Sequence, residues 1–136
     1  MIGYLTGFPV DTLPQRLAAF RKGLEAQGFT EGQNCAIEYR SADGRMERLP
    51  GLAADLVGRR VTAIVATGGD APASEAKRAS KTIPIVFVFG ADPVQRGLVA
   101  SLNRPGGNVT GVSFLSGELN AKRLELLNEL VPSTVK

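Results

Sequence analysis

The sequence predicts an α/β fold: an open, doubly wound parallel sheet of five strands in the order 2-1-3-4-5. Three observations carry this. Short apolar β-forming runs alternate with segments of helical periodicity along all 136 residues, the pattern of β-α units joined by right-handed crossovers. VTAIVA (61–66) and PIVFVF (84–89) are apolar with almost no alternation, as expected of strands buried on both faces between helix layers. NCAIEYR (34–40) instead alternates Cys35, Ile37 and Tyr39 with Ala36, Glu38 and Arg40. One wet face marks an edge strand, and a second strand at the edge gives the stated order.

The elements follow in turn. IGYL (2–5) is long enough for a buried first strand, and the turn formers of TGFPVD come after it. Thr12 and Gln15 stand three apart, as in a capping box, and Pro14 falls in the first turn, where no hydrogen bond is forfeited. Leu13, Leu17, Phe20 and Leu24 then recur at helical spacing up to Gly28, which suits a left-handed cap. A second helix carries Met46, Leu49, Leu52, Leu56 and Val57 on one side; Pro50-Gly51 falls in its first turn, or the helix starts nearer Leu49 than Met46. The third runs from about Ala71 to Ser80, with Lys77, Arg78 and Lys81 near its negative C-terminal end. A short helix is expected around Leu98–Leu102, a fifth strand at 109–113, and a last helix from Glu118 to Val131. Leu119, Leu124, Leu127 and Leu130 are expected toward one side of that helix, and Pro132 stops it.

Composition narrows the chemistry. The chain is 43% hydrophobic and 21% charged, and its length lets one domain bury roughly 65–70% of its unfolded surface. Its net charge of +3 does not mark a nucleic-acid binder, since basic and acidic residues are interleaved and aromatics are few. Cys35 is alone, which excludes an internal disulfide and a thiolate metal cage; it reads as a small core hydrophobe. Histidine is absent, removing the commonest general base and zinc ligand. No run approaches the ~20 apolar residues of a membrane span. MIGYLTGF lacks the basic start and long apolar stretch of a signal peptide, so the chain reads as cytoplasmic or as a mature form with Met1 added.

In such sheets ligands bind beyond the carboxyl ends of the strands. The segments expected there are 6–11, 67–70, 90–93 and 113–117, almost free of cations. Gly68 and Gly69 let backbone approach a ligand closely, Thr67 adds a hydroxyl, and the start of the helix near Asp70 and Ala71 suits an anion. IGYLTGFPVD and ATGGDAPA contain neither GxxxxGK[ST] nor GxGxxG, so a carboxylate fits better than a phosphate. Alternatively, Gly68-Gly69 only turns the chain and Asp70 only caps the helix. Asp92 before Pro93 is a ligand contact or a turn starter. Phe8 either covers a flat ligand or packs under its loop.

IGYLTG at the start, PIVF…DPV…GLV…L.RPGGN.TGVS from Pro84 to Ser113, and ELNAKRLELLNELVP near the end resemble the substrate-binding proteins of a bacterial ABC-transporter family, including an aromatic amino acid group. The resemblance spans essentially the whole chain. It implies one lobe of a type I periplasmic-binding-protein fold and non-catalytic capture of a small solute, such as an amino acid, with no cofactor. It also implies an ABC permease as partner and a periplasmic or membrane-anchored extracytoplasmic location. Residues 1–115 would be the N-terminal lobe, and 116–136 a helix and hinge segment leading to a second lobe. Thr6, Gly7, Phe8, Thr67, Gly68, Gly69, Asp70, Gly90, Asp92 and Ser113 would contact the ligand, and no residue would bind metal. The last helix, if it lacks a second lobe to cover it, would fold back on the first lobe or self-associate. A flavodoxin-like enzyme and the ligand-sensing domain of a transcription regulator are the alternatives on this fold.

Overall fold

A computed structural model describes residues 1–131. Five strands, β1 (Ile2–Thr6), β2 (Ile37–Ser41), β3 (Ala63–Thr67), β4 (Ile85–Phe89) and β5 (Val109–Ser113), form one all-parallel sheet in the order β2-β1-β3-β4-β5. Four α-helices accompany them: α1 (Pro14–Ala26), α2 (Leu49–Gly58), α3 (Asp70–Ala79) and α4 (Ser116–Leu130). The fold class, strand order and edge position of β2 agree with the sequence reading. Pro50 stands in the first turn of α2, as its missing N–H requires. Gly28, at φ 85°, closes α1: Gly28 N–H donates to Glu25 O and Phe29 N–H to Leu24 O, both at 2.9 Å.

Registry places the core on one side of the sheet. Leu5, Ile64, Ala66, Ile85 and Phe87 meet Leu49, Ala53 and Leu56 of α2 and Ala73 and Ala76 of α3, all buried. The other side is covered unevenly. Phe20 of α1 packs on Tyr4 with ring centroids 5.4 Å apart, and Tyr39 packs on the same ring at 5.6 Å. Farther along, Val65, Val86 and Val88 are only half-buried and Val112 is exposed. The central strands are therefore not buried on both faces as their apolar runs suggest. One helix roofs β1 and β2, and a groove is left over β3 to β5.

Four further expectations are corrected. The Thr12 hydroxyl donates to Pro9 O at 2.6 Å and does not cap α1, whose start has no side-chain cap. Residues 98–102 are not helical: Leu98 and Val99 both turn into the core while Leu102 is exposed, which a helical i, i+4 face would not allow. Cys35 is half-buried, because its segment ends at an isolated bridge before β2 begins. Finally, α4 does not fold back on the lobe: Leu119, Leu124, Leu126, Leu127 and Leu130 are all exposed. Pro132, expected to stop it, lies outside the described residues.

Candidate ligand-binding site

Parallel strands end on one edge, and there the predicted residues gather. Thr6, buried at the end of β1, accepts the Phe8 N–H on Oγ1 at 3.2 Å. The Ser41 Oγ lies 2.9 Å from the Phe8 carbonyl and shares its single proton between that oxygen and Asp43 Oδ1. Gly7 N–H donates to Thr67 O at 3.4 Å and Gly44 N–H donates to Gly7 O at 2.8 Å. With its N–H and its carbonyl both engaged and Gly7 tied beside it, Phe8 is 45% exposed at the edge. Ser41 also bonds Asp43, and that hydroxyl, with the Arg48 guanidinium, holds the Asp43 carboxyl below the usual carboxylate range.

Next to this loop, β3 stops and α3 begins. Gly68 (φ 80°) and Gly69 (φ 116°) take left-handed conformations that side chains resist. A Cβ on Gly68 would stand 3.0 Å from both Phe8 Cδ2 and Thr6 Oγ1, so the turn needs glycine for space as well as for conformation. Thr67 Oγ1 donates to Tyr4 Oη at 3.1 Å. Gly69 is the N-cap of α3, no side chain caps its first turn, and the helix start faces the edge with its dipole unanswered by a cap. Asp70 is the first helical residue rather than the cap, and its Oδ2 lies 3.4 Å from Arg96 Nε.

Beyond β4, Asp92 Oδ1 accepts the N–H groups of Val94 (2.8 Å) and Gln95 (3.4 Å), and Arg96 N–H donates to Asp92 O at 3.1 Å. Asp92 is thus a turn builder that also lines a cavity. The Ser113 hydroxyl donates to Ala91 O at 2.5 Å and accepts Leu115 N–H at 3.3 Å, joining the β4 and β5 loops. Thr6 and Ser113 hold loops in place, whereas Phe8, Thr67, Gly68, Gly69 and Gly90 line open space.

That space is a groove of about 630 Å³, bounded by Phe8, Thr67, Gly68, Gly69 and Phe114 at the edge and running down onto Tyr4, Phe20, Val65 and Val88 under Arg16. A second cavity of about 400 Å³, with Asp92, Gln95, Arg96 and Leu115 on its wall, adjoins it through the shared Gly90. Sequence reasoning missed Tyr4, Arg16, Phe20, Arg96 and Phe114. Phe114 carried a signal, since it follows β5 directly much as Phe8 follows β1. The two arginines did not, because α1 and the turn after β4 bring them to an edge otherwise poor in cations. Among the described residues no group of three or more His, Cys, Asp or Glu is placed to hold a metal.

A doubly wound parallel sheet with a glycine turn, an uncapped helix start and an aromatic-walled groove at its strand tips is a lobe of a periplasmic-binding-protein fold. The chain belongs to the ABC transporter substrate binding protein family, whose model matches residues 9–136. It is similar to a tyrosine-binding protein of Clostridioides difficile (strain R20291), 36% identical over 126 residues, 92% of this chain and 35% of that protein. Among solved structures it resembles a conserved domain protein from Vibrio cholerae (TM-score 0.84, 30% identity, 97% of this chain and 44% of that one). It also resembles the ligand-free, open form of a substrate binding protein with adhesive properties from Clostridium difficile (TM-score 0.78, 32% identity, 97% and 44%). A third is an ABC domain in complex with L-Trp from Streptococcus pneumonia (TM-score 0.74, 28% identity, 82% and 37%). The chain thus spans less than half the length of each of these relatives.

Proposed function

We propose that residues 1–115 are the N-terminal lobe of the solute-binding component of an ABC importer. The lobe captures, without catalysis, a small carboxylate-bearing ligand, and an aromatic amino acid fits best. One observation carries this reading: Phe8 and Phe114 wall a groove that also meets the uncapped start of α3. Aromatic walls suit a ring, and the uncapped helix start suits a carboxylate. The tyrosine-binding relative and the neighbour in complex with L-Trp support the same ligand class. Thr6, Gly7, Gly90 and Ser113 shape the shelf, and Asp70 and Asp92 flank it.

The family's way of working makes an ABC permease the partner and places the protein outside the cytoplasm. Residues 116–136 lead toward a second lobe that would close over the ligand, so the 136 residues alone present one wall of the cleft. Half a cleft leaves one side of the solute in water, and each 1.4 kcal/mol forgone is a tenfold loss, so binding by this chain is weak. The exposed leucines of α4 form an association face, which in this chain pairs with a second copy. Ligand-observed NMR against a panel tests the assignment. L-tyrosine and L-tryptophan are expected to bind, and alanine, ribose and flavin mononucleotide not to. Preference for the flavin nucleotide would replace this reading with a flavodoxin-like one.

A further inference from the structure

Among the described residues two apolar surfaces have no partner. The first is on the sheet. Registry sets Val65, Val86 and Thr110 in one row and Thr67, Val88 and Val112 in the next, on the face opposite Ile64, Ile85 and Phe87. Val65, Val86 and Val88 are half-buried and Val112 is exposed. From β3 to β5 is two strand spacings, about 10 Å, which is the width of one helix. On one flank α1 turns Arg16, Ala19 and Phe20 to this strip. Gly23 follows Ala19 on the same helix face, and a Cβ there would meet nothing within 4 Å. That flank admits a second helix at close range.

The second surface is α4, with Leu119, Leu126, Leu127 and Leu130 exposed. Its start is pinned at the strand tips. Phe114 N–H donates to Phe89 O at 3.1 Å and Ser116 N–H to Gly90 O at 2.9 Å, and Leu115 between them is left-handed at φ 47°. From that anchor the 15 residues of α4 extend about 22 Å without meeting their own sheet. Covering that sheet would require a new course at Leu115, whereas the sheet of a second copy is reached with the anchor intact.

Charge and area both favour such a seat. Arg16 borders the strip, and Glu129 stands about 60° round the helix from Leu126, at the border of the leucine arc. Neither has an ionic partner among the described residues. Arg123 falls inside the arc, but an arginine stem lies along apolar surface with its head in water. The chain exposes 8511 Å², whereas a folded monomer of 14.3 kDa exposes about 6,800 Å². The surplus exceeds the roughly 800 Å² that each partner gives to a stable interface.

We propose that α4 of one copy lies over β3 to β5 of a second copy, beside its α1, and that the exchange is reciprocal about a twofold axis. This rests on the self-association read above and gives the helix its seat: the bare sheet of the other copy rather than the other α4.

Light scattering behind size exclusion reads the state of the chain, and a dimer is expected. Val112→Glu, on the sheet and not on α4, should weaken that dimer at least tenfold. With Cys35→Ser in every chain, a Val112→Cys variant is then mixed with a Leu126→Cys variant and treated with a short bismaleimide. Thermal melts confirm that the variants fold. A linked dimer is expected in the mixture and not in either variant alone. Linked dimers of the Leu126→Cys variant alone, with Val112→Glu leaving the dimer as tight as before, mean that helix meets helix. That result overturns the docking and keeps the association. An intramolecular link in a chain carrying both cysteines, with no linked dimer in the mixture, means that α4 covers its own sheet and overturns the docking too. A native chain that stays monomeric at high concentration removes the association, and the docking with it.

Discussion

At the residue scale, the site depends on two positions with opposite physics. Gly68 has no tolerance for a side chain, because its φ of 80° and its 3.0 Å approach to Phe8 and Thr6 act together. Gly68→Ala is expected to cost roughly 1–2 kcal/mol in thermal or urea unfolding, and an unchanged midpoint would show that the turn gives way freely. Phe8 is the reverse, an exposed ring that contributes little to the core. Phe8→Ala should leave stability within about 0.5 kcal/mol and weaken an aromatic ligand about fivefold, the share of one ring–ring contact. The Gly-Gly turn was legible in the sequence because left-handed backbone demands glycine. Arg96 was not, because its arrival beside Asp70 depends on how the 92–97 turn packs, and no local pattern encodes that.

At the element scale, β2 and α2 are tied by charge as well as by packing. Arg40 Nε lies 2.6 Å from Asp55 Oδ2, and Arg59 Nε lies 3.2 Å from the same oxygen. The Arg40 hydrogen bond, before other contributions, holds the Asp55 carboxyl below its usual range. A carboxyl with a depressed folded pKa stabilises the fold fully above its unfolded value, near 3.9, and loses that contribution as pH falls through the folded value. The melting temperature should therefore fall between pH 5 and pH 2, and Asp55→Asn should make that fall shallower; parallel curves would mean the bond contributes nothing. The last helix was foreseen, but its apolar face was drawn one residue wrong. At about 100° per residue, Leu119, Leu126 and Leu130 share an arc of roughly 40° with Leu127 beside it, while Leu124 lies about 140° away. Leu126→Glu with Leu127→Glu is expected to convert a self-associating chain to a monomer in size-exclusion chromatography. A native chain that already elutes as a monomer at high concentration contradicts the pairing.

At the scale of the whole molecule, the sheet order was readable because β-α alternation and crossover handedness leave few topologies. The bare half of the sheet was not. Runs such as IVFVF look the same whether one face or two are covered, and only the position of α1 over β1 and β2 shows where the cover ends. That half-open face extends the groove from the strand tips toward Val65 and Val88 and gives the lobe room for a ring as well as for a charged head. Backbone amide shifts of the isotopically labelled chain during titration with L-tyrosine test this account most directly. It predicts saturable shifts concentrated at Gly7, Phe8, Thr67 to Asp70, Gly90 and Phe114, with a weak dissociation constant. Shifts concentrated on α2 or on the outer face of β2, with the strand tips silent, would contradict it.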